Sequence, residues 1–408
     1  MTFSSLMLNQ QLLDNINQLG YQSPTPIQAQ TIPEILAHHD VMAGAQTGTG
    51  KTAAFSLPIL HHLLEQAPQD KPQPQALILV PTRELAEQVH ANIASYCVNT
   101  PIKTAMVYGG VSISAQVTRL KTGVDLIVAT PGRLLDHLRH RVINLKHVQY
   151  LVFDEADRML DMGFMDEIKA ILKLLPKARQ TLLFSATFND TLFNLSKRLL
   201  NQPKLIEVDQ RNTAAADIEQ LFYAVDTNKK SALIAHLIKH KPIEQTLIFS
   251  RTKQGADEIA KQLQQAQINA KAFHSDYSQA VRASLLDEFK QGKIQALVAT
   301  DVAARGIDIK ALNYVINYEL PFVCEDYIHR IGRTGRAGNK GTAITLFSND
   351  DARLLESLEV LLDKRLPQQW YPGFEPDLSL FEETPRRNKK GAQKQRARQR
   401  ALQASKRK

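Results

Sequence analysis

At 408 residues, 43% of them apolar and 22% charged, the chain has the composition of ordinary soluble globular domains and length enough for two or three. Its two cysteines, Cys97 and Cys324, lie far apart without a Cys or His at ligand spacing, which argues against a disulfide framework or a cysteine zinc site and leaves inert core thiols. The formal charge of +9 sits in one place: Arg386 to Lys408 carries eleven Lys/Arg and no Asp/Glu, so 39 basic residues face 41 acidic ones before it.

Short apolar runs alternate with longer amphipathic stretches, the rhythm of a parallel sheet covered on both faces. The first predicted strand, "DVMAGA" (Asp40 to Ala45), runs into "QTGTGKT". A glycine-rich turn between a strand and a helix is the context of a phosphate cradle. Gly48 and Gly50 let backbone N–H groups point at a polyphosphate, Lys51 reaches its outer phosphates, and the Thr52 hydroxyl reaches Mg²⁺. Ala45 stands where the strict pattern has glycine.

"ALILV", "KTAMVYG" and "VDLIVAT" are the next three strands, and "YLVFD" (Tyr150 to Asp154) follows them. It ends in "DEAD", Asp154 to Asp157. Asp154 at a strand's end suits water-mediated Mg²⁺ coordination, and Glu155 can orient or deprotonate a water near the γ-phosphate. Alone, the tetrapeptide is also an acidic first turn of a helix; after a phosphate cradle it describes an NTP hydrolase. "TLLFS" and "KLIEV" complete the first set of strands. The expected domain covers residues 1–208.

A polar stretch, 209–217, reads as a linker. The rhythm then restarts with "IEQLFYAV", "QTLIFS", "NAKAFHS", "IQALVAT", "NYVINY" and "GTAITLFS", and "DDARLLESLEVLLDK" reads as a closing helix. Residues 218–372 are thus expected to form a second α/β domain that shares the rhythm of the first and could copy its architecture. Within "PQQWYPGFEPDLSLF", Trp370 is expected to pack onto that domain. Residues 373–408 are expected to be a disordered basic tail with affinity for polyanions, nucleic acid phosphates above all. No apolar run approaches the roughly 18 residues of a membrane span and no signal peptide opens the chain, so a cytoplasmic monomer is the expectation. His38/His39 and His61/His62 are adjacent in sequence and are expected at the surface.

These residues resemble the DEAD-box RNA helicases of superfamily 2, and the likeness continues in order over almost all of residues 1–347. "GYQSPTPIQ", seventeen residues after Phe3, resembles the family's Q motif. The resemblance implies that Gln28 reads adenine with Phe3 or Tyr21 near the base, while Gln46, Thr47, Gly48, Thr49, Gly50, Lys51 and Thr52 hold the phosphates. "PTRELA" (Pro81, Thr82, Arg83), Gly109–Gly110 and "TPGR" (Thr130, Pro131, Gly132, Arg133) resemble RNA-binding motifs. Taken singly, each is also a helix start or a turn. "SAT" implies a coupling role for Ser185 and Thr187 with Asp157. "LIFSRT" and "ATDVAARGID" bring Arg251, Thr300, Arg305 and Gly306 to RNA and Asp301 to the nucleotide. "HRIGRTGR" implies Arg333 and Arg336 as arginine fingers, with His329 and Arg330 coupling or bracing the site. Ser275 replaces the glycine of the family's usual "HGD". The N-terminal segment looks most like the bacterial RhlE group.

The implied fold is two tandem RecA-like parallel-sheet domains. The implied activity is RNA-stimulated ATP hydrolysis, with ATP and Mg²⁺, driving local, non-processive unwinding of short RNA duplexes. Single-stranded RNA and short duplexes are the implied partners, held mainly by backbone contacts; a ribosomal precursor or a nuclease is a further candidate. A DNA-directed helicase and an ATP-locked RNA clamp or annealing scaffold stay open as alternatives.

Overall fold

Every residue of Tyr150–Asp154 is buried, and this strand forms the centre of a seven-stranded sheet. An apolar run without alternation belongs there, because a parallel sheet is covered by helices on both faces. The computed structural model describes residues 2–44, 49–67, 71–185, 190–207, 218–304, 312–335, 341–362 and 364–377. The first sheet comprises β1 Val41–Gly44, β2 Ala76–Leu79, β3 Thr104–Val107, β4 Leu126–Ala129, β5 Tyr150–Asp154, β6 Gln180–Ser185 and β7 Lys204–Glu207. Their order is β3-β4-β2-β5-β6-β1-β7, with every neighbouring pair parallel. Alternate residues feed two cores: Val41, Ile78 and Val152 pack on one face, and Met42, Leu77, Leu151 and Phe153 on the other. Each such buried side chain contributes about 1.5–3 kcal/mol.

The second sheet holds β8 Ile218–Ala224, β9 Thr246–Ser250, β10 Ala270–Phe273, β11 Ala296–Thr300, β12 Tyr314–Asn317, β13 Gly341–Phe347 and β14 Gln368–Gln369. Its order, β10-β11-β9-β12-β13-β8-β14, is the first order with seven added to each strand, and all its pairs are parallel too. The two halves are copies of one architecture. All-parallel strands gather the loops after them along one edge of each sheet, where ligands of such sheets bind.

Three expectations need correction. Trp370 is 56% exposed. The packing falls instead to its neighbour Tyr371, whose ring meets Tyr223 and His236 at 5.5 Å each, because adjacent residues of an extended segment face opposite ways. His38 and His39 are exposed as expected, but His62 is buried and His61 half-buried. They occupy the end of the Lys51–Leu64 helix, which is buried along most of its length, and His62 stacks on His38 at 4.3 Å. Cys97 is a buried thiol pushed up to about 12 by burial, as an inert core residue should be, whereas Cys324 is only half-buried. Ser275 lies in an exposed turn without positive φ, so serine replaces glycine there without backbone strain. The expected linker and all of the tail beyond Asp377 lie outside the described residues. No described helix is long and apolar enough to cross a membrane.

Candidate nucleotide and nucleic-acid site

The cradle is fixed by the segment that precedes it. Thr25 caps the Pro26–Leu36 helix; its backbone N–H donates to Gln28 Oε1 at 2.9 Å, and its hydroxyl donates to the Thr49 carbonyl at 2.8 Å. Gln28 Nε2 donates to the Gly50 carbonyl at 3.1 Å. Gly50 has φ +90, and a Cβ there would stand 2.3 Å from Gln28 Nε2, so both backbone and neighbour require glycine. Gln28 therefore ties the start of the Pro26–Leu36 helix to the cradle. A side-chain amide carries two N–H donors and two lone pairs, so one of each is left for a base edge. Phe3 is buried, its ring 6.1 Å from Tyr21, and the Tyr21 hydroxyl meets that of Tyr96 at 3.0 Å. Gln46, Thr47 and Gly48 lie outside the described residues.

Lys51 opens the helix after β1, and Asp154 ends β5 two strands away. Lys51 Nζ is buried 3.7 Å from Asp154 Oδ1, and neither atom has a hydrogen-bond partner among the described residues. That distance is too long for a hydrogen bond, and burying such groups unpaired is costly. The pair fits groups that a ligand brings: phosphate oxygens for the ammonium, and a divalent cation for the carboxylate, with the half-buried Thr52 beside them in sequence. Burial, only partly offset by Lys51 and reinforced by Glu155, pushes the Asp154 carboxyl up to about 6. A cation at this oxygen would hold it ionised.

Glu155 is buried in the left-handed region at φ 55, ψ 52. For a residue with a Cβ this costs about 1–2 kcal/mol. Backbone strain of this kind gathers at functional sites. The turn places Glu155 between β5 and the Ala156–Asp161 helix. Asp157 is buried and accepts the Arg158 N–H at 3.0 Å. Ser185 is buried at the end of β6, one residue beyond Phe184, which pairs with Asp154. Thr187 lies outside the described residues.

The three motifs expected to bind RNA meet at the carboxyl ends of β2, β3 and β4. Pro81 and Thr82 are buried, and the Thr82 hydroxyl caps the Arg83–Tyr96 helix by accepting from Leu85 N at 3.3 Å. The Arg83 guanidinium lies so close over Gly110, which has φ +80, that a Cβ there would stand 1.8 Å from Nη1. Gly109 lies beside the same group. Arg133 Nη1 donates to the Val111 carbonyl at 3.1 Å, while Thr130 and Pro131 start its helix. Gly132 faces open space.

In the second half, Arg330 is 1% exposed and held on most of its donors. It grips both Asp301 oxygens at 2.6 and 2.7 Å, donates to the Glu319 carbonyl at 2.6 Å, and covers the Phe249 ring. A guanidinium committed in this way braces its surroundings. It fixes the turn that carries Arg333, which is buried and whose N–H donates to the Arg330 carbonyl at 3.2 Å. His329 shares the helix of Arg330. Thr300 is buried next to Asp301, at the end of β11. Arg251 is anchored inside its own domain by the Leu320 carbonyl at 2.6 Å and by Asp351. Arg305, Gly306 and Arg336 lie outside the described residues. Lys230 opens the helix after β8, the place Lys51 has after β1, but it is paired with Asp351 at 3.2 Å. In this copy a carboxylate of the protein meets the lysine that the first copy leaves without a hydrogen bond.

Sequence reasoning assigns no role to four charged residues that join the halves. Glu84, inside "PTRELA", pairs with Arg282 at 3.0 Å, and Arg158, just after "DEAD", pairs with Asp326; all four are buried. Glu84 and Arg158 stand inside or beside recognised motifs, a signal for the first partners. No local pattern points to the second.

The family model for the DEAD/DEAH box helicase matches residues 25–195, and that for the helicase conserved C-terminal domain matches residues 228–338. The chain is 43% identical over 364 residues to the ATP-dependent RNA helicase CshA of Listeria monocytogenes, covering 89% of this chain and 69% of that protein. It is 40% identical over 377 residues to the CshA of Bacillus subtilis, covering 92% and 76%. Among solved structures, S. cerevisiae Dbp5 bound to RNA and ADP BeF3 superposes with a TM-score of 0.81 at 31% identity, covering 92% of this chain and 95% of that one. A DEAD box protein from Methanococcus jannaschii, 39% identical and covering 90% and 99%, superposes with a TM-score of 0.53. The Listeria and Bacillus relatives bear the CshA name, and the RhlE-group likeness stays a likeness of the N-terminal segment. On sequence, fold and motif geometry together, this chain belongs to the DEAD-box family of ATP-dependent RNA helicases.

Proposed function

We propose that this ATP-dependent RNA helicase separates short RNA duplexes locally and without processive travel, because its hydrolytic site is complete only when RNA and ATP hold the two halves together. The observation that carries the reading is the buried Glu84–Arg282 pair at 3.0 Å. It ties the helix at the RNA strip of the first half to the second half. Arg158–Asp326 does the same between the "DEAD" helix and the helix that precedes Arg333. A further support is the arrangement of the halves, which follows Dbp5 with RNA and ADP BeF3 more closely than the Methanococcus jannaschii protein.

In this reading Lys51 and residues 46–52 hold the phosphates, Thr52 and Asp154 hold Mg²⁺, and Gln28 with Phe3 and Tyr21 takes the adenine. Mg²⁺ supplies charge neutralisation on the β- and γ-phosphate oxygens. Glu155 orients the attacking water, and Arg333 and Arg336 stabilise charge on the transferring group. Asp157, Ser185, Thr187, His329 and Arg330 link hydrolysis to closure. The strip of Pro81–Arg83, Gly109–Gly110, Thr130–Arg133 and the second-half residues Arg251, Thr300, Arg305 and Gly306 contacts backbone, which positions RNA without reading sequence. The basic tail adds salt-dependent affinity.

Duplex length tests this. Stacking holds a duplex by on the order of 1.4 kcal/mol per base-pair step, so opening a few steps releases only a short strand. Strand separation should be fast for a duplex of one helical turn and nearly absent for one of three turns with the same overhang. Equal rates on both would contradict local opening.

A further inference from the structure

Among the described residues, one group of metal-type donors comes together: His61, His62 and Glu65, at the end of the helix that Lys51 begins. His62 lies eleven residues along that helix from Lys51, about 16 Å at 1.5 Å per residue, so this group is separate from the phosphate cradle. The two histidines are adjacent in sequence, but Glu65 stands four residues from one and three from the other, and both spacings share a helix face.

His61 Nε2 is 3.5 Å from Glu65 Oε1, and His62 Nδ1 makes a long hydrogen bond of 3.5 Å with the other oxygen, Oε2. A charge-assisted hydrogen bond would be about 2.7–2.9 Å long. Donors arranged tetrahedrally around one zinc ion, with bonds near 2.0–2.1 Å, stand about 3.3 Å apart. One donor atom from each of the three residues lies within 4.8 Å of the other two, within reach of a small side-chain rotation. The contacts are long for strong hydrogen bonds, and a small rotation brings the donors to the spacing of ligands sharing a cation.

The histidines are partly preorganised. His62 is stacked on His38 at 4.3 Å and lies parallel to the Tyr150 ring at 5.8 Å. Two imidazoles and one carboxylate suit zinc or a similar borderline ion rather than Mg²⁺, which prefers oxygen. The far nitrogens, His61 Nδ1 and His62 Nε2, find no acceptor among the described residues. Tight sites usually supply one, so the ion held here is exchangeable.

We propose that His61, His62 and Glu65 bind one exchangeable divalent transition-metal ion of the zinc type. The ion would stiffen the junction where the cradle helix, the residue after the Pro26–Leu36 helix turn, His38, and the first residue of β5, Tyr150, pack together.

The test titrates the full-length protein with Zn²⁺ by calorimetry and with Co²⁺ by visible absorption, in excess Mg²⁺ to occupy the oxygen site. The proposal expects one Zn²⁺ per chain, a Co²⁺ spectrum of a nitrogen- and oxygen-ligated ion, and a thermal midpoint raised by the metal. Glu65→Gln and His61→Gln, both at positions with solvent access, should each weaken binding at least tenfold, with the metal-free midpoint and ATP hydrolysis unchanged. His236→Gln is the control, because His236 and His240 stack at 4.1 Å and form another histidine pair able to chelate. Unchanged affinity in both Glu65→Gln and His61→Gln, or loss of binding in His236→Gln instead, would overturn the assignment.

Discussion

Replacing Arg333 with alanine is expected to lower RNA-stimulated ATP turnover by about a thousandfold or more, the range for an arginine at a transferring phosphoryl group. The setting of Arg333 suits the proposed role. Arg333 is buried and follows Arg330, whose guanidinium is locked to Asp301 and to the Glu319 carbonyl. A cation placed on so rigid a support loses little entropy when it meets the transition state. Lysine should rescue little, since a point charge lacks the planar fork. ATP and RNA binding should change far less than turnover, because the interaction is made chiefly in the transition state. Single-turnover hydrolysis beside equilibrium binding of a fluorescent ATP analogue separates the two effects. A variant that hydrolyses ATP normally would remove Arg333 from the site, and equal losses of binding and turnover would make it a ground-state contact.

Glu155→Gln should cost about 10²–10⁴ in turnover, the usual contribution of a positioned acid or base. Glutamine keeps the size and the demand for the left-handed backbone at φ 55, so the fold at the end of β5 should be undisturbed. The neighbouring Asp154 and Lys51 also stay in place, so ATP should still bind and the closed RNA complex should persist for longer. Pre-steady-state hydrolysis and RNA dissociation, measured together, check this. Normal turnover would refute the base assignment, while rapid RNA release with slow hydrolysis would break the link between hydrolysis and opening.

Tyr150–Asp154 shows what the sequence makes legible. Its apolar run and terminal carboxylates mark a strand ending in a ligand-binding loop, and the strand has those bounds. The same reasoning locates Lys51 after β1 and the three motifs at the carboxyl ends of β2 to β4. β14 stayed hidden because Gln368–Gln369 carries no apolar pattern and joins β8 through its backbone. The burial of His62 is not legible in its adjacent spacing, because the rings of His38 and Tyr150 that cover it come from other parts of the chain. Arg158 and Asp326 are 168 residues apart, and periodicity holds no information at that distance. Lys230 had no glycine-rich turn to announce its likeness to Lys51; only the repeated sheet order reveals it.

The central claim is that RNA completes the ATP site by holding the two halves closed. Steady-state ATP hydrolysis by the whole chain, measured without nucleic acid, with single-stranded RNA, and with DNA of matched sequence, tests it most directly. Hydrolysis should be slow alone, strongly stimulated by RNA and little stimulated by DNA. Equal rates in all three conditions would contradict RNA-driven assembly of the site, and equal stimulation by DNA would contradict its specificity for RNA.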